Sequence, residues 1–214
     1  MNTHLHVLEA FTNLYSIWPD DKLKLLIADL IVDFKVHIVD AKSQHLILFF
    51  DESWKKKSDH VSYGHDIEAS WLLLEAAEVI AYPELVAEIR ELAVKMAEAT
   101  LAGLDEDGAL WYELIPPAQL NKEKHWWVQA EAMVGFYNAW ALSGDERYLT
   151  AVFNNWNFIK SRLIDPVHGE WYWGIGADDQ VMTEEDKAGL WKCPYHNSRA
   201  CLELIKRVNE KKDV

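Results

Sequence analysis

The stretch SYGHDIEASWLLLEAAE, residues 62–78, is where the fold class is decided. Apolar residues recur in it at helical spacing, and the pattern predicts a helix over 65–81. His65 and Glu68 stand three residues apart and so share one face of that helix. Glu68 is placed to orient the imidazole or share its proton. The helix N-terminus disfavours added positive charge, which biases His65 toward the neutral form that accepts a proton. The structural alternative is a histidine that merely caps the helix above a glutamate bonded to backbone amides.

Working outward, helices are expected over 2–15, 20–38, from Pro83 to about 100, over 124–142, from a cap at Asp145 to about 162, and from Pro194 to about 209. Between them lie HLILFFD (45–51), expected as a short strand, GLDEDGALWYEL (103–114), expected as a hairpin, and the strand-like HGEWYWGI (168–175). Helices beginning near 2, 65, 125 and 194 are rich in His or Trp where they start; those starts are 63, 60 and 69 residues apart. The helices between are plainer and more charged. This is a period of helix hairpins, one helix presenting functional residues and its partner facing solvent. Such pairs close into an (α/α) toroid, all-α in class, with its chemistry at the starts of the inner helices.

Composition narrows the function. With 21 basic and 35 acidic residues the net charge is −14, which repels nucleic-acid phosphates and anionic membranes. Eleven tryptophans suit a carbohydrate site as well as a core, because aromatic planes stack on sugar faces. The two cysteines, Cys193 and Cys201, sit too far apart on one helix for a disulfide and fit a cytoplasmic setting. No stretch reads as a signal peptide or transmembrane span.

Other segments carry candidate chemistry. In WKCPYHNSRACLEL (191–204), His196 falls in the first turn of a helix and Trp191 stands ready to wall a site. In NTHLHVLEAF (2–11), His4 and His6 point about 200° apart on a helix, which rules out one metal between them. Asn2 and His6 share a face and can contact a polar ligand. In KHWWVQAEAMVGF (124–136), Trp126 and Trp127 open a helix with Glu131 further in; one indole can line a cleft while the other packs. Trp171 and Trp173 raise the same choice on a strand. No Gly-rich phosphate loop, GxSxG elbow or CxxC pair is present.

Taken together, NTHLHVLEAF, GHDIEASWLL, KHWWVQAEA, GEWYW and KCPYHNSRA resemble the ordered motifs of the N-acylglucosamine 2-epimerase superfamily, on its cellobiose 2-epimerase branch. The resemblance spans essentially the whole chain, read as one domain over 1–214. It implies an (α/α)6 barrel that inverts C2 of a reducing-end sugar, a disaccharide or monosaccharide, with no metal or redox cofactor. His65 and His196 would be the acid/base pair acting through a cis-enediolate, with Glu68 as the acid beside the first. Asn2 and His6 would bind and help open the sugar, and Trp126, Trp127 and Trp191 would shape its site. Members are roughly twice this length, so the chain corresponds to the C-terminal half of the barrel. An arginine that stabilises the enediolate oxygens lies in the other half. Half a toroid bares on the order of 1,000 Å² of apolar surface; self-association or a separate N-terminal half is expected to cover it. Two other readings stay open: a non-catalytic remnant that only binds sugar, and an (α/α)-toroid glycoside hydrolase using Glu68, Asp66 or Glu131.

Overall fold

Helices apolar on every side must be enclosed, whereas helices with one apolar stripe can face water, and this difference sorts the chain into two layers. The computed structural model describes residues 1–117 and 119–212. The α3 helix (Tyr63–Ile80) and the α5 helix (Trp126–Ser143) are buried on nearly all faces. By contrast α2 (Asp21–Asp33), α4 (Pro83–Thr100) and α6 (Glu146–Phe158) bury one stripe each, such as Leu23, Ile27 and Ile31 on α2. An inner row forms as α1 (Asn2–Ile17) packs on α3, α3 on α5, and α5 on α7 (His196–Lys212). Outside it, α2 lies against α1 and α3, α4 against α3 and α5, and α6 against α5. The helix-pair period read from the sequence is this alternation.

Local chemistry sets the boundaries. The Asp20 carboxylate accepts from the Leu23 amide at 3.0 Å to start α2, and Pro83 opens α4. Gly144, at φ 72°, ends α5 in the left-handed region, and Asp145 caps α6 two residues before Arg147. Both α2 and α6 finish in a π-helical turn, Phe34–Ile38 and Ile159–Leu163.

Each outer helix is followed by the same device. A backbone bridge closes a turn at Val39–Leu46, Leu104–Leu110 and Ile164–Trp171. An aspartate heads each turn: Asp40 accepts from the amides of Lys42 and Ser43, and Asp165 from those of Val167 and His168. Short strands then lead into the inner helices. Strand β1 (Val61–Ser62) pairs with β2 (Glu113–Ile115), which pairs with β3 (Gln119–Asn121); β4 (Lys124–His125) pairs with β5 (Gly174–Ile175), all antiparallel. Thus β1 runs directly into α3 and β4 into α5.

Three expectations change. The 45–51 stretch is not a strand: Leu46 bridges back to Val39 and Phe50 forward to Lys56, so no neighbour runs beside it for more than one pair. The last helix starts at His196, not Pro194, because the Tyr195 amide turns back to the Cys193 carbonyl at 2.7 Å. Cys193 therefore precedes the helix that carries Cys201, and both are exposed thiols. In 168–175 only Gly174 and Ile175 form regular strand.

The core is built mainly from Leu5, Leu8, Ile27, Ile31, Trp71, Leu73 and Ile80, with a second cluster around Ile67, Leu110, Phe136 and Tyr148. Helices α3 and α5 approach closely enough that a Cβ on Gly135 would lie 2.7 Å from the Ile67 carbonyl oxygen. At Gly64 the missing side chain makes room for the Trp127 ring, which lies across the first turn of α3. Among the described residues, no helix is long and apolar enough to cross a membrane.

Candidate active site

The starts of the inner helices converge on a cleft of about 330 Å³. Asn2 and His6 line it from α1, His65 and Glu68 from α3, Trp126 and Trp127 from α5, and Trp191 and His196 from the start of α7. The eight residues that the family resemblance assigns to the site therefore meet in one place. Tyr112, His125 and Trp173 complete the lining. Tyr112 and His125 had no sequence signal of their own, since they sit in loop and strand segments whose direction depends on the β pairing.

The two histidines are held differently. His65 Nδ1 lies 2.8 Å from the Ser62 hydroxyl, a group that can donate or accept, so this contact does not set the ring tautomer. Burial first, then the neighbouring His6 and His196, lower the His65 pKa to about 4, so the ring is neutral at pH 7. The expected His65–Glu68 pairing is absent. The two do share the α3 face, but the Glu68 carboxylate runs on to Arg199, whose Nη2 donates to it at 2.9 Å. His196 is the histidine with a carboxylate: its Nδ1 lies 2.7 Å from Glu131 Oε1 and 3.8 Å from Glu68. Donation from Nδ1 to Glu131 leaves Nε2 to accept a proton.

One turn below the histidines lies a charged layer drawn from all four inner helices: Glu9, Glu68, Glu131 and Arg199. Arg199 Nη1 donates to Glu9 and to the Tyr195 hydroxyl, while Nη2 donates to Glu68 and, at 2.6 Å, to Glu131. Glu131 is further fixed by the Trp71 indole N–H at 3.0 Å. Burial and the Glu131 charge raise the Glu68 pKa. Burial opposes the Glu131 charge too, but Arg199 and His196 outweigh it and hold that pKa down. Burial likewise works against Glu9, yet His6, 3.9 Å away, and Arg199 bring its pKa down to about 2. The layer thus keeps Glu131 and Glu9 ionised while Glu68 is the readiest to hold a proton. The spacing His6/Glu9, His65/Glu68 and His196/Arg199, three residues each, is the sequence signal that could have revealed it.

Glu68, Glu131 and His196 place ligand atoms within 4.8 Å of one another, a grouping that suits a cation. The cation standing there is the Arg199 guanidinium. The carboxylates a hydrolase needs are committed as well: Glu68 and Glu131 share Arg199, and Asp66 is fully buried, bonded to His45 and the Leu46 amide.

Aromatic rings wall the cleft. Trp127 sits 4.8 Å from the His65 ring and 5.7 Å from that of His196, centroid to centroid. Trp126 packs on Trp173 at 4.4 Å, and Tyr112 on His125 at 4.2 Å. Trp191 stands 80 % exposed at the rim. Trp171, by contrast, is buried in the core, which separates it from Trp173.

The burial of His65 predicts a pH effect on stability. Its pKa is about 4 when folded and about 6.5 when unfolded. Between those values the unfolded chain binds more protons, so stability falls as pH drops. From pH 7 to pH 5 the native chain is expected to lose about 2 kcal/mol more than His65→Gln does. Urea unfolding of both at the two pH values measures this; equal losses would show that the imidazole is not desolvated.

Paired helices in two layers, with histidines and tryptophans gathered where the inner helices start, define the class of helical toroids. Residues 1–200 match the N-acylglucosamine 2-epimerase (GlcNAc 2-epimerase) family, and the chain belongs to that family. It is 49 % identical over 206 residues to the cellobiose 2-epimerase of Bacteroides fragilis, covering 96 % of this chain and 53 % of that protein. The solved cellobiose 2-epimerase of Bacillus thermoamylovorans superposes with a TM-score of 0.92 at 45 % identity, over 97 % of this chain and 53 % of the other. A GH76 α-mannanase from Bacteroides thetaiotaomicron superposes at 0.69 with 16 % identity, over 98 % of this chain and 56 % of the other, a likeness of fold alone. The architecture is that of half an (α/α)6 toroid. The chain spans about half the length of the curated relatives it matches.

Proposed function

We propose that the cleft is a sugar site that epimerises C2 of an aldose reducing end, with His65 and His196 as the proton-transfer pair. The observation that carries this reading is the placing of both imidazoles on one aromatic-walled cleft, in contact with the same Trp127 ring. On the open-chain sugar one neutral imidazole takes the C2 proton, the electron pair moves toward the C1 carbonyl, and a cis-enediolate forms. The other imidazole, in its protonated form, returns a proton to the opposite face of C2 and gives the epimer. His196 suits this because the Glu131 carboxylate stabilises the imidazolium it becomes. His65 suits it because burial keeps its ring neutral, with a nitrogen able to take the C2 proton. Glu68, by holding a proton more readily than Glu131, limits the negative charge beside His196. Asn2 and His6 bind sugar hydroxyls, and Trp126, Trp127 and Trp191 cover apolar sugar faces. The names of the relatives point to cellobiose as substrate. Incubation with cellobiose in D2O tests this: deuterium should appear at C2 by NMR. Its absence, even after addition of a polypeptide supplying the other half of a relative's toroid, would overturn the proposal.

The same reading includes a partner. Among the described residues, helix α3 has an outer helix on each side, α2 and α4, whereas the outer helix packed on α1 is α2. Beside α7 an apolar groove of about 370 Å³ opens between Phe153 and Trp156 of α6 and Leu204 and Ile205 of α7. Ile17 and Trp18 stand exposed at the other edge. A second copy, or a chain carrying the complementary half, would bury these edges. A monodisperse monomer at micromolar concentration in light scattering would argue against it.

A further inference from the structure

The charged layer gives a register for comparing the inner helices. Two residues before Glu68, Glu131 and Arg199 stand Asp66, Gln129 and Asn197, all buried. Each of the three reaches the turn that follows the preceding outer helix. Asp66 Oδ1 accepts from the Leu46 amide, and its Oδ2 lies 2.7 Å from His45 Nδ1. Gln129 exchanges two bonds of 2.8 Å with the backbone of Leu110. Asn197 Nδ2 donates to Glu170 Oε1 at 2.7 Å. In the third turn the charge that lies inside is that of Lys192, paired with the more exposed Glu170. Lys192, 1 % exposed, supplies the counter-charge at 2.9 Å and bonds the Lys187 carbonyl at 2.8 Å, with its ammonium over the Trp126 ring.

In this register the residue just before the staple is His65 on α3, Val128 on α5 and His196 on α7. We propose that Asp66 and Asn197 are positioning residues: by tying each helix start to the preceding turn, they set where the His65 and His196 imidazoles point. Gln129 makes the same kind of staple on α5, whose start carries no histidine at that level but sets Trp127 against both rings. The roles of the two histidines in proton transfer rest on the function proposed above; the staples themselves do not. A helix start freed from its turn can rotate or shift, and a displacement near 1 Å costs a proton-transfer step about 10²-fold in rate. Asn197→Ala leaves the Glu170–Lys192 pair intact, and Asp66→Asn keeps an acceptor for the Leu46 amide, so both variants retain most of the surrounding bonds.

The test reads ring C–H resonances by NMR on the full chain, assigned by their loss in His65→Gln and His196→Gln. Asn197→Ala should move the His196 signals and leave those of His65 in place, while Asp66→Asn should do the reverse. Gln129→Ala, by shifting Trp127, should move the signals of both rings together instead of one alone. Where C2 exchange is measurable, kcat should fall about 10²-fold in Asn197→Ala with KM changed less than about threefold. Exchanging the partners, Asn197→Asp with Glu170→Gln, should restore both signals and rate. Histidine signals that stay fixed in both staple variants, or that move together in Asn197→Ala and likewise in Asp66→Asn, would overturn the proposal. If wild type shows no C2 exchange yet the ring signals respond as expected, the epimerase reading fails and the positioning role stands.

Discussion

His65→Gln and His196→Gln are each expected to lower C2 deuterium exchange by about 10²–10⁴-fold, the range over which a positioned acid or base accelerates proton transfer. Glutamine keeps the size and polarity of imidazole but cannot take up a proton near neutrality. Binding should survive in both variants, because the aromatic walls are untouched, so the loss should appear in kcat rather than KM. The two variants should also differ from each other. His65→Gln removes a ring that burial keeps neutral, whereas His196→Gln also strips Glu131 of one of its donors. Exchange started from each of the two epimers separates them, since the group that abstracts from one epimer reprotonates the other. Equal, small losses in both variants would remove the histidines from the chemistry.

Arg199→Met is expected to be the most damaging single change to stability. The guanidinium is the cation that Glu9, Glu68 and Glu131 share, and Glu68 and Glu131 are almost fully buried. Removing one partner of a buried ion pair typically costs about 3–5 kcal/mol, because the other charge is left uncompensated. For a chain of this size that corresponds to a fall in Tm of about 10 °C. The deficit should shrink on acidification: without Arg199 the carboxylates bind protons more readily in the folded state, and a protonated carboxyl no longer needs the cation. Arg199→Lys should recover only part of the loss, since one ammonium cannot reach Glu9 with one nitrogen and Glu68 and Glu131 with another. Melting curves for both variants at pH 7.5 and pH 5.5 check the size and the sign. A deficit that grows at low pH would contradict the charge assignment.

Several parts of this site were legible residue by residue. Helix periodicity, Pro83, Gly144 and Asp145 place the helices because these are local properties of the chain, and the histidines and tryptophans at the inner helix starts follow from them. The partner of His65 was misread for the same reason. Spacing of three puts His65 and Glu68 on one face, but whether they bond depends on what else reaches Glu68. That competitor, Arg199, lies 131 residues away on α7. His196 gains Glu131 across about half that distance in sequence, 65 residues. The 45–51 segment was misread because a run of apolar residues becomes strand only when a neighbour is available to pair with it.

The sequence by itself determined the two-layer helix period, the identity of the residues at the starts of the inner helices and the membership of the N-acylglucosamine 2-epimerase family, because each depends on residue type and spacing along one segment. Only the tertiary structure decided which carboxylate serves which histidine, that one arginine gathers three glutamates, and that Asp66, Gln129 and Asn197 occupy equivalent staple positions. Those facts depend on which side chain is nearest in space, and in a buried layer a charge pairs with whichever opposite charge the packing brings to it.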